Sequence, residues 1–291
     1  MNLFFNNYFN NYFNNYLNTF TGKRVLITGA GSGLGRSFAL LFARLEWNVL
    51  VLDINKQTLD QTVELIINNN KNNKNTKNIE SKVIDLNDSS KVKEFFNYIF
   101  TSSHWGGIDI VINNAAIGCL STIEDLPTQK AIDFFNNNLI SPLTLLHYLI
   151  PHLKKQGQGH ILNISSVLSF APTPQMGHYS MAKAALNLLS ETLHMELHPY
   201  NISTTLTLPY YFKSNILNNM ICSDTTDINI KNISISSDVI AEKIIKKLKH
   251  GELYIFPQFQ GKLLWYLKRI SPRLFLYLSR KNFEKNFKKN F

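Results

Sequence analysis

Residues 24–36 read RVLITGAGSGLGR, an apolar run that passes directly into a glycine-rich turn. The run is typical of a buried parallel strand, and residues 36–45 continue with helical spacing. Glycines in such a turn let the backbone approach a pyrophosphate, and the start of the next helix offers free N–H groups and a positive dipole end. The stretch favours a dinucleotide-binding turn over an ordinary glycine-rich loop, with contacts from Gly29, Ser32, Gly33, Leu34 and Gly35.

Six further short apolar runs follow the first, and the segments between them carry helical spacing. Strands that alternate with helices in this way form one parallel sheet that is covered on both faces. We therefore expect an α/β fold of the Rossmann-like, doubly wound type, with a seven-stranded parallel sheet and a ligand outside the carboxyl ends of the strands. The expected strands are residues 24–28, 48–53, 82–86, 108–113, 160–164, 202–208 and 253–256.

The second expected strand ends at Asp53, 24 residues after the first glycine of the turn. A carboxylate at this point can accept both hydroxyls of an adenosine ribose, and it repels a 2′-phosphate. This predicts NAD as the cofactor and NADP as the less favoured one, although Arg36 leaves a route to phosphate binding. Asp85 and Leu86 end the third run, where an acid can meet the adenine amino group. Capping of the next helix around Asp88 is the structural alternative.

Tyr179 and Lys183 lie four residues apart in the sequence YSMAK, and such a pair faces one side of a helix. The ammonium group and the positive charge of an oxidised nicotinamide favour a phenolate, so we expect the pKa of Tyr179 to lie below its ordinary value of about 10. Ser166 ends an apolar strand thirteen residues earlier and can hold a substrate oxygen. The pattern predicts hydride transfer between an alcohol and a carbonyl compound, with Tyr179 as the acid or base.

In this order the motifs resemble those of the short-chain dehydrogenase/reductase family over residues 22–256. The matches are the glycine turn, the acid at Asp53, an NNAG-like segment at 113–116, an asparagine in the NLIS segment at 138–141, and the set Ser166, Tyr179 and Lys183. The resemblance implies that Tyr179 exchanges the proton and that Lys183 binds the nicotinamide ribose. It also implies that Ser166 orients the carbonyl or hydroxyl group.

Further roles are implied by the same resemblance. Asn138 would hold a water that relays protons, with a shift by one residue within the run 136–138 left open, and Asn113 and Pro209 would contact the cofactor. Three positions depart from the family pattern. Pro209-Tyr210 replaces the usual Pro-Gly, an alanine replaces the last glycine of the NNAG segment, and Ser214 stands where a threonine usually contacts the nicotinamide carboxamide. We expect the nicotinamide contacts of this loop to differ from those of the family.

Residues 210–230 are rich in large apolar side chains, which suggests an apolar pocket or a lid over it. We expect Tyr210 and Phe212 to contact the substrate together with Ser166. Packing of these aromatic rings against the domain's own core is an equally weighted alternative. A pocket of this kind fits a lipophilic alcohol.

The two ends of the chain differ in composition from the part between them. We divide the sequence into a lead at 1–21, a catalytic NAD-binding domain at 22–257 and a basic extension at 258–291. In the lead, asparagine pairs alternate with aromatic pairs at a four-residue period. This pattern fits either an amphipathic helix in a membrane interface or a disordered tail.

The chain carries 30 Lys and Arg residues against 20 acidic ones, a net charge of +10. Between residues 251 and 291 nine basic residues face two acidic ones, a net charge of +7, and the cations alternate with large apolar side chains. Such a segment is typical of peripheral attachment to a membrane or lipid-droplet surface, and it disfavours nucleic acid as a partner. A helix folded over the pocket and a dimer contact are the alternatives. We expect the protein to be located at the cytosolic face of the endoplasmic reticulum or on a lipid droplet, and otherwise in the cytoplasm.

The layout of this extension also resembles the membrane-associated retinol dehydrogenase and 17-beta-hydroxysteroid dehydrogenase branch of the family, which implies retinoid, steroid or long-chain alcohol substrates. The family resemblance implies a homodimer or tetramer that forms through helices near residues 131–149 and 179–196. The spacing of Cys119 and Cys222 predicts neither a disulfide framework nor a metal site. A non-catalytic dinucleotide-binding sensor or scaffold, and a dehydrogenase of small polar alcohols, are the competing functions.

Overall fold

Seven parallel strands form the central sheet of the protein, whose computed structural model describes residues 15–70, 78–102, 105–213, 216, 220–222 and 235–287. The sheet has the order β3-β2-β1-β4-β6-β7-β9, and β5 and β8 pair separately as a small parallel sheet. This confirms the doubly wound, seven-stranded parallel sheet. In chain order the strands are β1 (Arg24–Thr28), β2 (Asn48–Asp53), β3 (Ile79–Val83), β4 (Ile110–Asn113), β5 (Cys119–Leu120), β6 (Gly159–Ile164), β7 (Ile202–Thr207), β8 (Ile221–Cys222) and β9 (Tyr254–Ile255).

The third strand lies three residues earlier than the predicted run 82–86. β3 forms the edge of the sheet, and the side chains of Ser81, Lys82 and Val83 are exposed. An edge strand therefore lacks the continuous apolar run that marks the interior strands. Its neighbour Ile84 still donates its N–H to the carbonyl of Asp53 at 3.0 Å, and the chain then leaves the sheet.

Helices cover both faces of the sheet. In the part of the chain that the structure describes, they are α1 (Gly33–Arg44), α2 (Lys56–Asn70), α3 (Ser89–Thr101), α4 (Thr128–Phe135), α5 (Ser141–Gln156), α6 (Gly177–Leu197), α7 (Ser237–Lys247), α8 (Phe259–Ile270) and α9 (Pro272–Phe287). On one face α1, α2 and α7 bury Phe38, Phe42 and Ile244, and on the other α3, α5 and α6 bury Phe96 and Leu149. The interior strands are buried between these two cores, which explains why their sequences are continuously apolar.

The packed unit begins before residue 22, which corrects the boundary placed there. Leu17 and Phe20 are buried in the core beside α1. The Tyr16 hydroxyl lies 3.0 Å from Nδ1 of His160, at the amino end of β6. Residues 17–19 form a single 3₁₀ turn. The aromatic pairs of the repeat at 1–14 lie outside the described residues, as does most of the Asn/Lys run at 68–78.

The extension that begins at residue 258 also packs on the domain. α8 and α9 contact each other, and Phe275 is buried against Val167 and Ala171. The hairpin of α8 and α9 therefore lies next to the segment that follows β6. None of the helices in the described ranges has both the length and the apolar character that are needed to cross a membrane.

Candidate active site

A cavity of about 490 Å³ opens at the carboxyl ends of the strands, where the doubly wound fold predicts the ligand. Its wall is formed by the segments that follow β1, β2, β3, β4, β6 and β7. The structure brings most of the predicted site residues together on this wall: Gly29, Ser32, Gly33, Leu34, Asp53, Asp85, Leu86, Ser166, Tyr179, Lys183, Pro209, Tyr210 and Phe212. Gly35, Asn113 and Asn138 are not part of it.

The glycine turn leaves room for a ligand because side chains are absent where the backbone is most crowded. Gly29 has φ +64°, and a Cβ there would lie 2.8 Å from the Cα of Ala115. A Cβ at Gly35 would collide with the carbonyl oxygen of Gly29, so Gly35 serves the packing of α1 on the turn. The N-terminus of α1 faces the cavity through Gly33 and Leu34. This cradle fits the pyrophosphate of a dinucleotide.

Asp53 lies on the cavity wall at the end of β2. Its carboxylate accepts N–H groups from Gly31 at 2.8 Å and from Asn55 at 2.9 Å, which fixes its orientation. Arg36 is absent from the wall, because its guanidinium group donates to the carbonyl of Thr58 at 3.1 Å and to the hydroxyl of Thr62 at 2.9 Å. Among the residues that the structure describes, the wall around Asp53 therefore presents a carboxylate and no guanidinium group.

The two acids after β3 have different tasks. Asp88 caps α3, and its side chain accepts the N–H of Lys91 at 3.1 Å, which holds the pKa of the Asp88 carboxyl below its usual range. Asp85 lines the cavity and accepts the backbone N–H of Asn87 at 2.9 Å. Capping thus explains Asp88 and leaves Asp85 on the wall beside Leu86.

The side chain of Asn113 forms a hydrogen bond inside the sheet, and its contact with the cofactor stays a prediction. Its amide donates to the side-chain oxygen of Asn163 at 3.2 Å, between β4 and β6. Asn114 is the asparagine on the wall, and its amide donates to the carbonyl of Thr28 at 2.9 Å. Successive residues of a strand point to opposite sides, so the side chains of the two asparagines point in different directions.

Ser166, Tyr179 and Lys183 meet at the far end of the cavity from the adenosine acids. Ser166 follows β6, whereas Tyr179 and Lys183 lie one turn apart on α6. The Lys183 Nζ donates to the carbonyl of Ile164 at 2.8 Å and lies 5.7 Å from the centre of the Tyr179 ring. The Ser166 hydroxyl accepts the N–H of Leu168 at 3.2 Å and, beside Tyr179, acts to lower the pKa of that phenol. The packing of β6 against α6 thus assembles the three groups that the sequence placed in separate elements.

Burial dominates the protonation of this pair. It raises the pKa of Tyr179 to about 12, although the hydrogen bond from Ser166 opposes the rise. Burial also lowers the pKa of Lys183 to about 8. The expected drop in the pKa of Tyr179 is therefore not produced by the protein alone. Its phenol is protonated at neutral pH, and a phenolate needs a further positive charge in the cavity.

Asn138 lies in a π-helical turn (Asn136–Ile140) between α4 and α5 and is buried. Its side-chain oxygen accepts the N–H of Ile117 at 3.1 Å, and its amide donates to the carbonyl of Phe134 at 2.9 Å. Both polar ends of the side chain are thus engaged within the protein, and the water relay implied for Asn138 stays a prediction. Asn138 anchors the segment after β4, while Asn137 lies on the cavity wall.

The other half of the cavity is apolar. Tyr210 and Phe212 line it together with Val167, Met176 and Met220. The Pro209 carbonyl accepts the N–H of Val167 at 3.1 Å, so the loop after β7 is tied to the segment that carries Ser166. Ser214 and Leu217 lie outside the described residues.

A set of side-chain hydrogen bonds beside Ser166 and Lys183 was not predicted from the sequence. The Ser165 hydroxyl donates to the side-chain oxygen of Asn187 at 2.6 Å, and the Asn187 amide donates to the Ser169 hydroxyl at 2.7 Å. Asn187 follows Lys183 by one helical turn on the same face of α6, which was the available signal. These hydrogen bonds join α6 to Ser165 and Ser169, the residues on either side of Ser166.

Comparisons with known proteins agree with this geometry. The model of the short-chain dehydrogenase family matches residues 23–223. The chain is 27% identical to "Dehydrogenase/reductase SDR family protein 7-like" of Drosophila melanogaster, over 89% of this chain and 80% of the relative. It is 26% identical to "11-beta-hydroxysteroid dehydrogenase-like 4A" of Arabidopsis thaliana, over 90% of this chain and 85% of the relative.

Solved structures show the same fold. A short-chain dehydrogenase/reductase from Burkholderia phymatum in complex with NAD superposes with a TM-score of 0.76 at 19% identity, covering 87% of this chain and 95% of that one. A short-chain dehydrogenase from Sphingobium yanoikuyae in complex with NADPH gives 0.73 at 23% identity, with the same shares covered. The cavity fits a nicotinamide dinucleotide, and the matched family model covers the glycine turn as well as Ser166, Tyr179 and Lys183. The chain belongs to the short-chain dehydrogenase/reductase family of oxidoreductases.

Proposed function

We propose that the protein interconverts a lipophilic primary or secondary alcohol and its aldehyde or ketone, with NAD as the hydride carrier and Tyr179 as the acid or base. The observation that carries this proposal is the set of Ser166, Tyr179 and the buried Lys183, which borders both the dinucleotide cradle and the apolar half of the same cavity.

The side chains of the protein handle the proton. When bound, the nicotinamide supplies the carbon that accepts or returns the hydride. In the oxidation direction the Tyr179 oxygen accepts the hydroxyl proton of the alcohol, and in reduction it returns a proton to the carbonyl oxygen. Ser166 holds that oxygen by a hydrogen bond, and the Lys183 ammonium favours negative charge on Tyr179. With the pKa of Tyr179 raised to about 12, the free protein is poised as an acid.

Support for NAD over NADP comes from the adenosine end of the cavity. Asp53 presents a carboxylate where a ribose would lie, and it would repel a 2′-phosphate. Arg36, the one cation that the sequence offered for such a phosphate, is held by backbone and hydroxyl groups off the wall.

Support for a lipophilic substrate comes from the apolar wall around Tyr210, Phe212 and Met220 and from the steroid-dehydrogenase-like relative. Retinoids, steroids and long-chain alcohols are the classes that we propose. A site at the cytosolic face of the endoplasmic reticulum or on a lipid droplet belongs to the same proposal.

A homodimer or tetramer through α5 and α6 is a further part of the proposal. Met181, Leu188 and Met195 lie seven residues apart on α6 and are exposed, so they form an apolar stripe along the helix. We expect Leu188→Glu, which places a charge in this stripe, to weaken the oligomer in sedimentation velocity. A variant that sediments as the same oligomer as the wild type would argue against this interface.

A panel of retinol, steroid and long-chain alcohols with NAD, followed by absorbance at 340 nm, tests the reaction. We expect turnover that falls by about 10³-fold in Tyr179→Phe, because general acid–base catalysis is lost, while NADH affinity stays within about twofold. Tyr211→Phe is the matched control, since it removes another hydroxyl from the same cavity wall and should keep most of the activity. NADH binding without turnover of any alcohol would favour a sensor, and activity confined to small polar alcohols would contradict the substrate class.

Replacement of Asp53 tests the cofactor assignment. In Asp53→Ser the repulsion of a 2′-phosphate disappears, so the ratio of kcat/KM for NAD to that for NADP should fall by about tenfold or more, or ~1.4 kcal/mol. Asp85→Ser removes a neighbouring acid of the same wall and should change both cofactors equally. A wild-type ratio near one, or an unchanged ratio in Asp53→Ser, would refute the assignment.

A further inference from the structure

We infer that the outer face of the α8–α9 hairpin docks on an anionic phospholipid bilayer beside the mouth of the substrate half of the cavity. The inference names the partner of the proposed enzyme and rests on that proposal only for the delivery of lipophilic substrate. We call this surface the outer face of the hairpin: Phe259, Leu263, Tyr266 and Ile270 of α8, and Leu274, Tyr277 and Leu278 of α9.

The apolar residues of the outer face follow helical spacing yet are exposed. In α8 they recur at intervals of four, three and four residues, which places them on one side of the helix. Phe259 is 75% exposed and Ile270 is 81% exposed. The opposite side of α8 is the packed one, because Leu264 and Leu267 lie against the cluster of Val167, Ala171 and Phe275. The hairpin therefore presents a second apolar side that the domain does not need for its own core.

Cations accompany these rings. The Lys262 ammonium lies 6.0 Å from the centre of the Tyr266 ring, and the Lys281 ammonium lies 4.8 Å from that of Tyr277. Residues 258–287 hold seven basic residues and one acidic residue, Glu284, which pairs with Arg280 at 3.5 Å. Aromatic rings with a cation beside each are suited to a headgroup layer, where the rings enter the interface and the cations meet lipid phosphate. This excess of positive charge favours anionic lipid as the partner that binds the outer face of the hairpin.

The inner side of the hairpin borders the active site. Gly261 of α8 comes so close to the segment after Ser166 that a Cβ would lie 2.9 Å from the Val167 side chain. Tyr210, which lines the cavity, packs in the same cluster as Phe275. A bilayer on the outer face would therefore lie one helix diameter from the apolar half of the cavity, about 10 Å, which suits a substrate that partitions into lipid.

Flotation with vesicles tests the surface. The full chain should float with phosphatidylcholine vesicles that contain phosphatidylserine and should bind pure phosphatidylcholine weakly. The double variant Leu263→Glu/Ile270→Glu should lose about tenfold or more of its partitioning, because it removes two apolar contacts and adds two charges that anionic lipid repels. Ile67→Glu is the matched control: Ile67 is an exposed isoleucine on α2, at the opposite edge of the sheet, and this variant should float like the wild type.

Three outcomes would overturn the inference. The first is a wild-type protein that stays at the bottom of the gradient, and the second is a double variant that floats like the wild type. The third is a concentration-dependent dimer of the wild type that the double variant does not form but Ile67→Glu does. That result would make this face a contact between two copies of the chain. Titration with NADH, read by fluorescence, separates the two proposals, because the double variant should bind NADH as the wild type does. A protein that floats with the vesicles but turns over no alcohol would contradict the proposed reaction and still support the docking surface.

A second observation concerns Gln258, the residue before α8. We propose that Gln258 is a positioning residue for the loop Pro209–Tyr211. Its side-chain oxygen accepts the N–H of Tyr210 at 2.8 Å, and its amide donates to the carbonyl of Tyr211 at 3.0 Å. Gln258 is buried, and the three loop residues line the cavity. One buried amide therefore fixes the backbone at the position where a bulky tyrosine follows Pro209, and it ties this loop to the hairpin.

The variant Gln258→Met keeps the length of the side chain and removes both hydrogen bonds. Loss of both hydrogen bonds should raise the KM for NAD roughly tenfold, whereas the effect on kcat should be smaller. Gln156→Met is the matched control, because Gln156 also clamps backbone groups, with its amide 2.8 Å from the carbonyl of Ile108, but at the amino end of the sheet. This variant should lower the melting temperature to a similar extent without changing the KM.

Gln258→Glu keeps the acceptor for the Tyr210 N–H and should lie between wild type and Gln258→Met. An unchanged KM in Gln258→Met, with only a loss of thermal stability, would show that Gln258 is merely structural. An equal rise in KM for Gln156→Met would contradict the proposal in the same way. NADH affinity, measured without any alcohol, gives the same test if turnover of the proposed substrates fails.

Discussion

The desolvation of Tyr179 and Lys183 is the constraint on which the site depends. Where β6 meets α6, the ammonium group donates to the carbonyl of Ile164, and burial disfavours the charged form of both residues. The protein alone thus keeps the phenol protonated. A bound oxidised nicotinamide would add the missing positive charge, so the acid/base group would change state with the cofactor.

The parallel sheet makes this arrangement accessible to substrate. Its strands all deliver their carboxyl ends to one edge, so the glycine turn after β1, Asp53 after β2 and Ser166 after β6 share a single cavity. The α8–α9 hairpin packs behind residues that line the apolar half of the cavity: Phe275 packs with Val167, and Gln258, just before α8, accepts the N–H of Tyr210 in the loop after β7. Fold, cofactor cradle and substrate entrance are thereby parts of one packed unit.

The sequence allowed prediction of features whose cause is local. The glycine turn, the spacing of Tyr179 and Lys183 and the buried interior strands all follow from nearby residues, and the structure has them as expected. The predicted position of β3 was wrong because an edge strand lacks a continuous apolar run. The contact between Asn113 and Asn163 was not predicted, because it joins two strands that are distant in the sequence. The pKa of Tyr179 and the clamp by Gln258 depend on burial and on contacts between distant parts of the chain, which spacing does not reveal.

The ionisation of Tyr179 tests the central claim most directly. Ultraviolet difference titration of wild type against Tyr179→Phe isolates the phenolate signal of this residue, without and with saturating NAD. In the free protein we expect no Tyr179 phenolate up to pH about 10, the ordinary midpoint of tyrosine, and with NAD we expect phenolate at lower pH. A phenolate that forms below pH about 10 in the free protein, or a midpoint that NAD does not move, would contradict the claim that burial sets the resting state and that the cofactor's charge reverses it.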